Sequence, residues 1–423
     1  MTNTIPEVAI ISIGTELTQG FTLNTNAYWL SGECRQLGFN VAFHLSLPDN
    51  AFYWNQTFQM LKKAGVSIVI ITGGLGPTAD DQTRQLIADT FSKPLVYNSI
   101  YEDKIKVWFQ KRKIPYLDTN KIQACFPEGA IVLDNPVGSA PGFQMDDGDF
   151  HLFCFPGVPS EMKTMFQTHL VPWLQTKKTV TWYNKDLRLF GLSESALEAL
   201  LRTFSFEDGV YWSSLPMKDC LVFRIYTCKS EEALNKATQL FVGALGEKAN
   251  QMLISDNGKN LIQVIMDLLK ERNQTLGVAE SCTGGLLASE IVKEPGSSLI
   301  FKGGVVAYQN EIKAKILQVP EETLNTEGAV SEATVLSMAE HTLDVLNCDW
   351  AIATSGIAGP SGGTKEKPVG FVWVAIASKK EKFAFSELFF GNREEIQMKN
   401  VYKALNRLRL SILEQKNTCS QVQ

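Results

Sequence analysis

The sequence predicts a multidomain α/β protein. Short apolar runs typical of buried strands alternate with longer periodic stretches typical of amphipathic helices, which is the pattern of layered α/β folds. The 423 residues exceed what one hydrophobic core normally organises, so we expect three domains. A hydrophobic fraction of 44% and a charged fraction of 20% are those of a soluble globular protein with enough apolar material for its cores.

The first domain, predicted over residues 1–171, has the pattern of a parallel sheet between helices. Its clearest strands are 8–13 and 67–72, and its clearest helices are 26–37 and one that begins after Asp80. The turns that follow strands in this region are rich in glycine and polar residues. Because ligands of open α/β sheets bind outside the carboxyl ends of the strands, these turns favour one shared binding site.

A smaller α+β domain is predicted over residues 172–254. Strand-like runs occur at 187–190, 210–213 and 221–228, and a long helix begins at Glu231. The spacing Ser195-Ala-Leu-Glu198 has the form of a capping box and predicts that another helix begins there.

The third domain is predicted over residues 259–415, after the polar segment 255–259. It again alternates helices and strands, and from Glu414 onward we expect a frayed tail. The predicted elements are a helix at 261–269, a strand that runs into Ser281, a helix, a strand at 304–308, a helix from Ser331, strands at 350–354 and 371–377, and a final helix from Arg393.

Charge and composition exclude several classes of function. The net charge is −5 and the longest basic group is Lys111-Arg112-Lys113, so we expect no direct contact with nucleic acid. No apolar run is long enough to span a bilayer, and the first residues lack the pattern of a secretory signal, so a cytoplasmic protein is expected. The eight cysteines are scattered, which predicts reduced thiols and no structural zinc.

The loop at residues 72–81, Thr-Gly-Gly-Leu-Gly-Pro-Thr-Ala-Asp-Asp, is a candidate anion site in the first domain. Its three glycines let backbone N–H groups approach a ligand closely, and Thr78 adds a hydroxyl. Asp80 and Asp81 could hold a hard divalent cation that bridges phosphate oxygens. A tight turn in which Asp80 or Asp81 caps the next helix explains the same residues equally well.

A second candidate site lies at residues 280–285, Glu-Ser-Cys-Thr-Gly-Gly, where a strand gives way to a helix. Free N–H groups at a helix start can hold a phosphate or an oxyanion, and Ser281, Cys282 and Thr283 offer nucleophiles beside them. Helix capping by Ser281 or Thr283 is the alternative. The only histidine of this domain, His341, lies within a helical pattern, so a histidine base is poorly supported.

Motifs along nearly the whole chain resemble the CinA family, the competence/damage-inducible proteins. In the first half the matching segments are 13–17 with 24–26, 72–81, 135–142 and 156–162. In the last domain the matching segments are 280–285, Ala-Tyr-Gln-Asn-Glu-Ile-Lys at 307–313, Ser-Gly-Ile-Ala-Gly-Pro-Ser-Gly-Gly at 355–363, and Lys-Pro-Val-Gly at 367–370.

For the first domain, the resemblance implies a three-layer fold like that of molybdopterin-binding domains and, in some members, a metal-dependent ADP-ribose pyrophosphatase. Asp80 and Asp81 would then position a divalent cation, Mg, Mn or Co. The residues implied to contact substrate are Gly74, Gly76, Thr78, Glu16 and Asn24. The sequence departs from the usual family motif at residues 19–23.

For the last domain, the resemblance implies an amidase that converts nicotinamide mononucleotide to nicotinate mononucleotide and ammonia without a cofactor. It implies Ser281 as the nucleophile in preference to Cys282, Lys313 as the base in preference to the nearby Lys302 and Lys315, and Tyr308 as a further catalytic residue. The residues implied to bind substrate are Thr283, Gly284, Gly285, Asn310, Ser355, Gly356, Gly359 and Arg393.

Two alternatives remain open at the level of the sequence. The first domain could only bind a nucleotide or pterin, in a non-catalytic partner protein of DNA uptake or repair, or it could transfer an adenylyl group to a pterin. Nicotinamide mononucleotide and ADP-ribose are the expected small-molecule partners, no membrane partner is expected, and a homodimer is the expected assembly.

Overall fold

The computed structural model of the chain describes residues 7–148, 150–177 and 180–420, with the side chains of 416–420 excepted. The chain divides into two compact units, one ending at Trp182 and the other beginning at Tyr183. No helix in the described part of the chain is both long and apolar enough to cross a bilayer.

The first unit is built on a six-stranded sheet with the order β2-β1-β3-β8-β7-β6. Strands β2, β1, β3 and β8 are parallel, whereas β7 and β6 are antiparallel additions. The predicted parallel sheet is therefore correct for four strands and wrong for two. The strands are β1 Glu7–Ile13, β2 Asn40–Leu47, β3 Ile68–Thr72, β4 Leu95–Tyr97, β5 Cys125–Pro127, β6 Ile131–Leu133, β7 Gly142–Asp147 and β8 Phe150–Phe155, with β4 and β5 forming a separate pair.

Helices cover both faces of this sheet, because the central strands β1 and β3 are apolar along almost their whole length. Two apolar cores result, one on each face. The helices are α1 Thr15–Thr18, α2 Thr25–Gln36, α3 Ala51–Lys63, α4 Thr83–Thr90, α5 Ser99–Arg112, α6 Pro159–Met165 and α7 Val171–Lys177, with a 3₁₀ helix at Asp118–Ala124 and a π-helical turn at Phe166–Leu170.

The second unit contains two sheets. The first is antiparallel, with the order β10-β11-β9-β12, and the second has the order β14-β13-β15-β16-β17, in which β14, β13 and β15 are parallel. The strands are β9 Tyr183–Leu189, β10 Val210–Pro216, β11 Leu221–Thr227, β12 Leu253–Ser255, β13 Leu276–Glu280, β14 Phe301–Val306, β15 Trp350–Gly356, β16 Phe371–Ser378 and β17 Lys382–Leu388.

The helices of the second unit pack against one face of the small sheet and both faces of the large one. Arg409, almost fully buried on the last helix, donates to the carbonyl oxygens of Gln251 at 2.7 Å and Leu253 at 3.0 Å, next to the small sheet. The helices are α8 Glu194–Leu201, α9 Glu231–Leu245, α10 Ala249–Met252, α11 Leu261–Glu271, α12 Leu286–Val292, α13 Asn310–Leu317, α14 Glu321–Thr326, α15 Glu332–Val345 and α16 Arg393–Ser420, with 3₁₀ turns at Gly246–Lys248 and Ser297–Leu299.

Two local predictions are wrong. Helix α8 is capped by Ser193, whose Oγ accepts a hydrogen bond from the N–H of Ala196 at 3.2 Å, so Ser195 already lies inside the helix. Residues 414–420 are not a frayed tail, because α16 continues to Ser420, and residues 421–423 lie outside the described part of the chain. Gln415 on this segment still donates to the Glu381 carboxylate at 2.9 Å, which ties the end of the helix to the β16–β17 turn.

Candidate active sites

Ser281 and Lys313 form a buried pair at the carboxyl edge of the large sheet. Ser281 follows β13 directly, and Lys313 lies on α13, which begins shortly after the neighbouring parallel strand β14. Lys313 Nζ donates to Ser281 Oγ at 3.0 Å, and the two side chains are only 1% and 8% exposed. Parallel strands bring their carboxyl ends to one edge, which explains how residues 32 positions apart meet.

The surroundings of Lys313 act on its protonation in two opposite directions: burial favours the neutral amine, and the oxygen acceptors around Nζ favour the ammonium. Its Nζ also donates to the carbonyl oxygens of Ala307 at 2.8 Å and Tyr308 at 3.1 Å. Burial lowers the pKa of Lys313, and the Cys282 thiol raises it by a smaller amount. The other candidate bases are elsewhere: Lys302 is exposed on β14, and Lys315 pairs with a glutamate of its own helix.

Cys282, the rival nucleophile, is turned away into the protein. Its thiol accepts a hydrogen bond from Asn400 Nδ2 at 3.4 Å, and its carbonyl oxygen accepts one from Gln397 Nε2 at 2.7 Å, both from α16. Burial raises the pKa of the Cys282 thiol to about 12, so the reactive thiolate is rare near neutral pH. The arrangement therefore supports Ser281.

Glu280 is an important residue that the sequence did not single out. This fully buried side chain accepts hydrogen bonds from the N–H groups of Gly285 and Leu287, both at 3.0 Å, and of Ala288 at 2.8 Å. The expectation that N–H groups at this helix start are free for a ligand is wrong for these three. A lone acidic residue at the end of an apolar strand was the available signal.

The helix-capping alternative for Ser281 or Thr283 is also wrong. Helix α12 begins at Leu286 after Gly285, which has φ 99°, and neither hydroxyl caps it. Thr283 Oγ1 instead shares a hydrogen bond of 2.8 Å with Thr354 Oγ1 on β15. The exposed Gly284 donates its N–H to the Ser281 carbonyl oxygen at 3.2 Å, closing the turn that carries the nucleophile.

Tyr308 and Arg393 meet at a more exposed place. Arg393 Nη1 donates to the carbonyl oxygen of Gly359 at 2.6 Å, and its Nη2 donates to the Tyr308 hydroxyl at 3.4 Å. Tyr308 is 56% exposed, and its backbone carbonyl, described above, is the part that contacts Lys313. Tyr308 therefore contacts Arg393 through its hydroxyl and Lys313 through its backbone carbonyl oxygen.

Three further predicted substrate-binding residues have different surroundings. Ser355 is buried and donates to the carbonyl oxygen of Ala329 at 2.6 Å, so its hydroxyl is already engaged. Gly356 ends β15, and Asn310 is exposed at the first position of α13. His341 lies in the middle of α15, where its Nδ1 is 2.8 Å from the Ser337 carbonyl oxygen one turn earlier.

The first unit has a cavity of about 440 Å³ at the carboxyl edge of its parallel strands. The turns after β1, β2, β3 and β8 all contribute to its walls, as the sequence pattern predicted for three of them. Glycines and carboxylates are prominent in its lining, which includes Gly14, Glu16, Asp49, Gly74, Gly76, Asp80, Asp81 and Glu161.

The loop after β3 is held in one conformation by close backbone packing. Gly73 has φ 108°, and a Cβ at this position would overlap the carbonyl oxygen of Ile13, so only glycine fits. Asp81 accepts hydrogen bonds from both the N–H and the hydroxyl of Thr78, and the first of these measures 3.0 Å. Arg84, almost fully buried, donates to the Leu75 carbonyl oxygen at 2.7 Å behind the loop.

Carboxylates gather on one side of this cavity. The pKa of Asp49 is raised, first by burial and then by repulsion from Asp80, Glu16 and Asp81. The sequence missed Asp49 because the alternating strand β2, which it follows, was not identified. Asn24 caps α2, because its Oδ1 accepts a hydrogen bond from the N–H of Ala27 at 3.0 Å.

No group of three or more His, Cys, Asp or Glu side chains in the described part of the chain has the spacing of a ready-made metal site. The carboxylates nevertheless fit a hard cation. Mg²⁺ commonly keeps several waters and takes only one or two protein carboxylates together with substrate phosphates. Asp80 is exposed and lines the cavity, and a hydrogen bond with the Thr78 side chain lowers its pKa; Asp81 also accepts hydrogen bonds from Thr78.

The fold and the two sites at the carboxyl ends of the parallel strands define a class: a multidomain α/β protein. One unit contains a buried Ser–Lys pair, and the other contains an acidic, glycine-lined cavity. Residues 9–176 match the family model of a probable molybdopterin binding domain, and residues 258–412 match the CinA C-terminal domain.

Full-length relatives agree with these two matches. A CinA-like protein of Dictyoglomus turgidum is 36% identical over 96% of this chain and 98% of its own length, and one of Dictyoglomus thermophilum is 35% identical over the same shares. The crystal structure of the competence/damage inducible protein CihA from Agrobacterium tumefaciens is 37% identical, covers 36% of this chain and 93% of its own, and has a TM-score of 0.35. The chain belongs to the CinA family.

Proposed function

We propose that the second unit is an amidase that releases ammonia from nicotinamide mononucleotide. The observation that carries the proposal is the buried Lys313–Ser281 pair with its 3.0 Å contact. A neutral Lys313 can accept the Ser281 proton as Oγ attacks the amide carbonyl, and the resulting ammonium can return the proton to the departing amine. Water then releases the acid from the acyl-serine. The choice of substrate rests on the family resemblance.

Arg393 and the Tyr308 side chain, which are exposed beside the Lys313–Ser281 pair, suit a nucleotide phosphate. Arg393 presents a guanidinium that pairs well with phosphate oxygens, and the Tyr308 hydroxyl beside it can donate a further hydrogen bond. In this proposal Tyr308 binds substrate through its side chain and orients Lys313 through its backbone carbonyl oxygen. No cofactor takes part in this reaction.

The amidase proposal is tested by ammonia release from nicotinamide mononucleotide in excess chelator. Wild-type protein should release ammonia, and Ser281→Ala and Lys313→Ala should each lose at least about 100-fold in rate. Lys315→Ala is the matched control, because this lysine lies on the same helix, is exposed and pairs with Glu311. Wild-type protein without activity would rule out the assignment.

A second activity is proposed for the first unit: metal-dependent hydrolysis of ADP-ribose to AMP and ribose 5-phosphate. Its support is the 440 Å³ cavity, in which a glycine-lined loop faces several carboxylates. Asp80 would hold the divalent cation, with Asp49 and Glu16 near it, and the cation would neutralise phosphate charge. Gly74 and Gly76 would let backbone N–H groups approach the pyrophosphate.

Chelation separates the two proposed activities. ADP-ribose hydrolysis should require added Mg²⁺, Mn²⁺ or Co²⁺ and should fall strongly in Asp80→Asn, while ammonia release should not respond to the metal.

No activity on either nucleotide would favour a non-catalytic partner protein. Product analysis with ATP and a pterin would test adenylyl transfer. For the assembly we propose a homodimer, the commonest form of oligomer.

A further inference from the structure

Glu161 is a carboxylate of the first unit that the proposed metal chemistry does not use. It lies in the first turn of α6, after β8, and it lines the same cavity as Gly74 and Asp80. Its side chain is half-buried.

A dedicated framework fixes one oxygen of Glu161. Asn135 Nδ2 donates to Glu161 Oε2 at 2.6 Å and to the Ala140 carbonyl oxygen at 3.0 Å. The Asn135 Oδ1 in turn accepts from the N–H of Gly138 at 2.8 Å, which locks the loop around the amide. A Cβ on Gly138 would overlap Glu161 Oε2, so this loop is shaped around the carboxylate.

The other oxygen of Glu161, Oε1, has no hydrogen-bond partner among the described side chains and backbone groups. Burial raises the pKa of Glu161, while the Asn135 hydrogen bond and the positive charge of Arg112 lower it by smaller amounts. The acidic groups in the same cavity are Glu16, Asp49, Asp80 and Asp81. A carboxylate that is anchored at one oxygen and open at the other can accept a proton from a bound water.

We propose that Glu161 is the general base for ADP-ribose hydrolysis, a role that rests on the pyrophosphatase activity proposed above. Oε1 accepts one proton of a water molecule while the water oxygen forms a bond to one phosphorus of the pyrophosphate. The bridging P–O bond breaks, and its electron pair leaves with the other phosphate. Asn135 is a positioning residue that keeps Oε1 directed at the water.

The test is steady-state hydrolysis of ADP-ribose by the full-length protein with saturating Mn²⁺, across pH, for wild type, Glu161→Gln and Glu161→Asp. Glutamine keeps an oxygen that can accept the Asn135 hydrogen bond, so Glu161→Gln should fold. We expect its kcat to fall at least about 100-fold with KM within about threefold, and the acidic limb of the kcat profile to disappear. Glu161→Asp should retain part of kcat and that limb. Glu128→Gln, at an exposed glutamate of the same unit, should behave as wild type.

The possible outcomes distinguish failure of the general-base proposal for Glu161 from failure of the pyrophosphatase proposal. Wild-type protein without hydrolysis would overturn the pyrophosphatase proposal and the base with it. An active wild type whose Glu161→Gln variant keeps kcat within about threefold would overturn only the base. A variant that raises KM and leaves kcat intact would overturn it in favour of recognition of a substrate hydroxyl. Calorimetric titration of ADP-ribose into Glu161→Gln should give a Kd within about threefold of wild type, and loss of binding would likewise overturn the proposal.

Discussion

Replacing Glu280 with glutamine tests how the nucleophile turn is held. The native carboxylate accepts three backbone hydrogen bonds, at Gly285, Leu287 and Ala288. An amide has one oxygen, so if that oxygen serves Gly285 and Leu287, its NH₂ group faces the Ala288 N–H, donor against donor. The change therefore removes one charge-assisted bond outright and weakens the other two.

The expected loss of stability is roughly 3 kcal/mol. A hydrogen bond to a charged group contributes about 1.5–3 kcal/mol and one to a neutral group about half of that. Relief from burying a charge offsets part of the loss. For a unit of this size, the change corresponds to a fall of about 6–12 °C in the melting temperature of the second unit. Ammonia release should fall as well, because Ser281 follows Glu280 directly.

Differential scanning calorimetry is the assay, because two units can unfold in separate transitions that a single probe would blend. The matched control is Glu311→Gln, at an exposed glutamate whose pair with Lys315 contributes at most about 1 kcal/mol. A Glu280→Gln protein that melts within about 2 °C of wild type would refute the reasoning, since it would mean that the three hydrogen bonds do not hold the turn.

Three further predictions concern both sites. Because burial lowers the pKa of Lys313 and the base must be neutral, the amidase rate should rise with pH through that lowered pKa, and Lys313→Arg should be inactive across the profile. Cys282→Ser should keep ammonia release within about threefold, and iodoacetamide should label native Cys282 slowly, since its pKa is about 12; fast labelling with loss of activity would contradict this. Gly73→Ala should destabilise the first unit by roughly 2–4 kcal/mol in thermal unfolding, because its φ is 108° and a Cβ would overlap the Ile13 carbonyl oxygen, while leaving ammonia release unchanged.

Local patterns predicted the alternation of strands and helices and the places where turns follow strands, because both depend on nearby residues. The position of Lys313 could not be predicted in this way. Spacing alone left Lys302 and Lys315 open, and only the three-dimensional fold shows which lysine amine lies beside Ser281. The family resemblance supplied what spacing could not.

Two functional residues could not be predicted from the sequence, and the physical reason is the same for both. Asp49 follows β2, whose residues alternate between exposed and partly buried, so the strand lacks the apolar run that identifies β1 and β3. Glu280 is an acidic residue inside a buried strand, and its role depends on N–H groups up to eight positions later. Such tertiary partners carry no periodic signal.

The last helix gives the second unit a built-in dependence on its small sheet. Gln397 and Asn400 of α16 hold the residue after the nucleophile, while Arg409 on the same helix uses the carbonyl oxygens of Gln251 and Leu253 as acceptors. A fragment that begins at residue 258 keeps every side chain of the proposed amidase site. It lacks the two carbonyl oxygens that accept hydrogen bonds from the buried Arg409 guanidinium. We therefore expect a fragment that begins at Tyr183, ahead of both sheets, to be more stable than one that begins at residue 258.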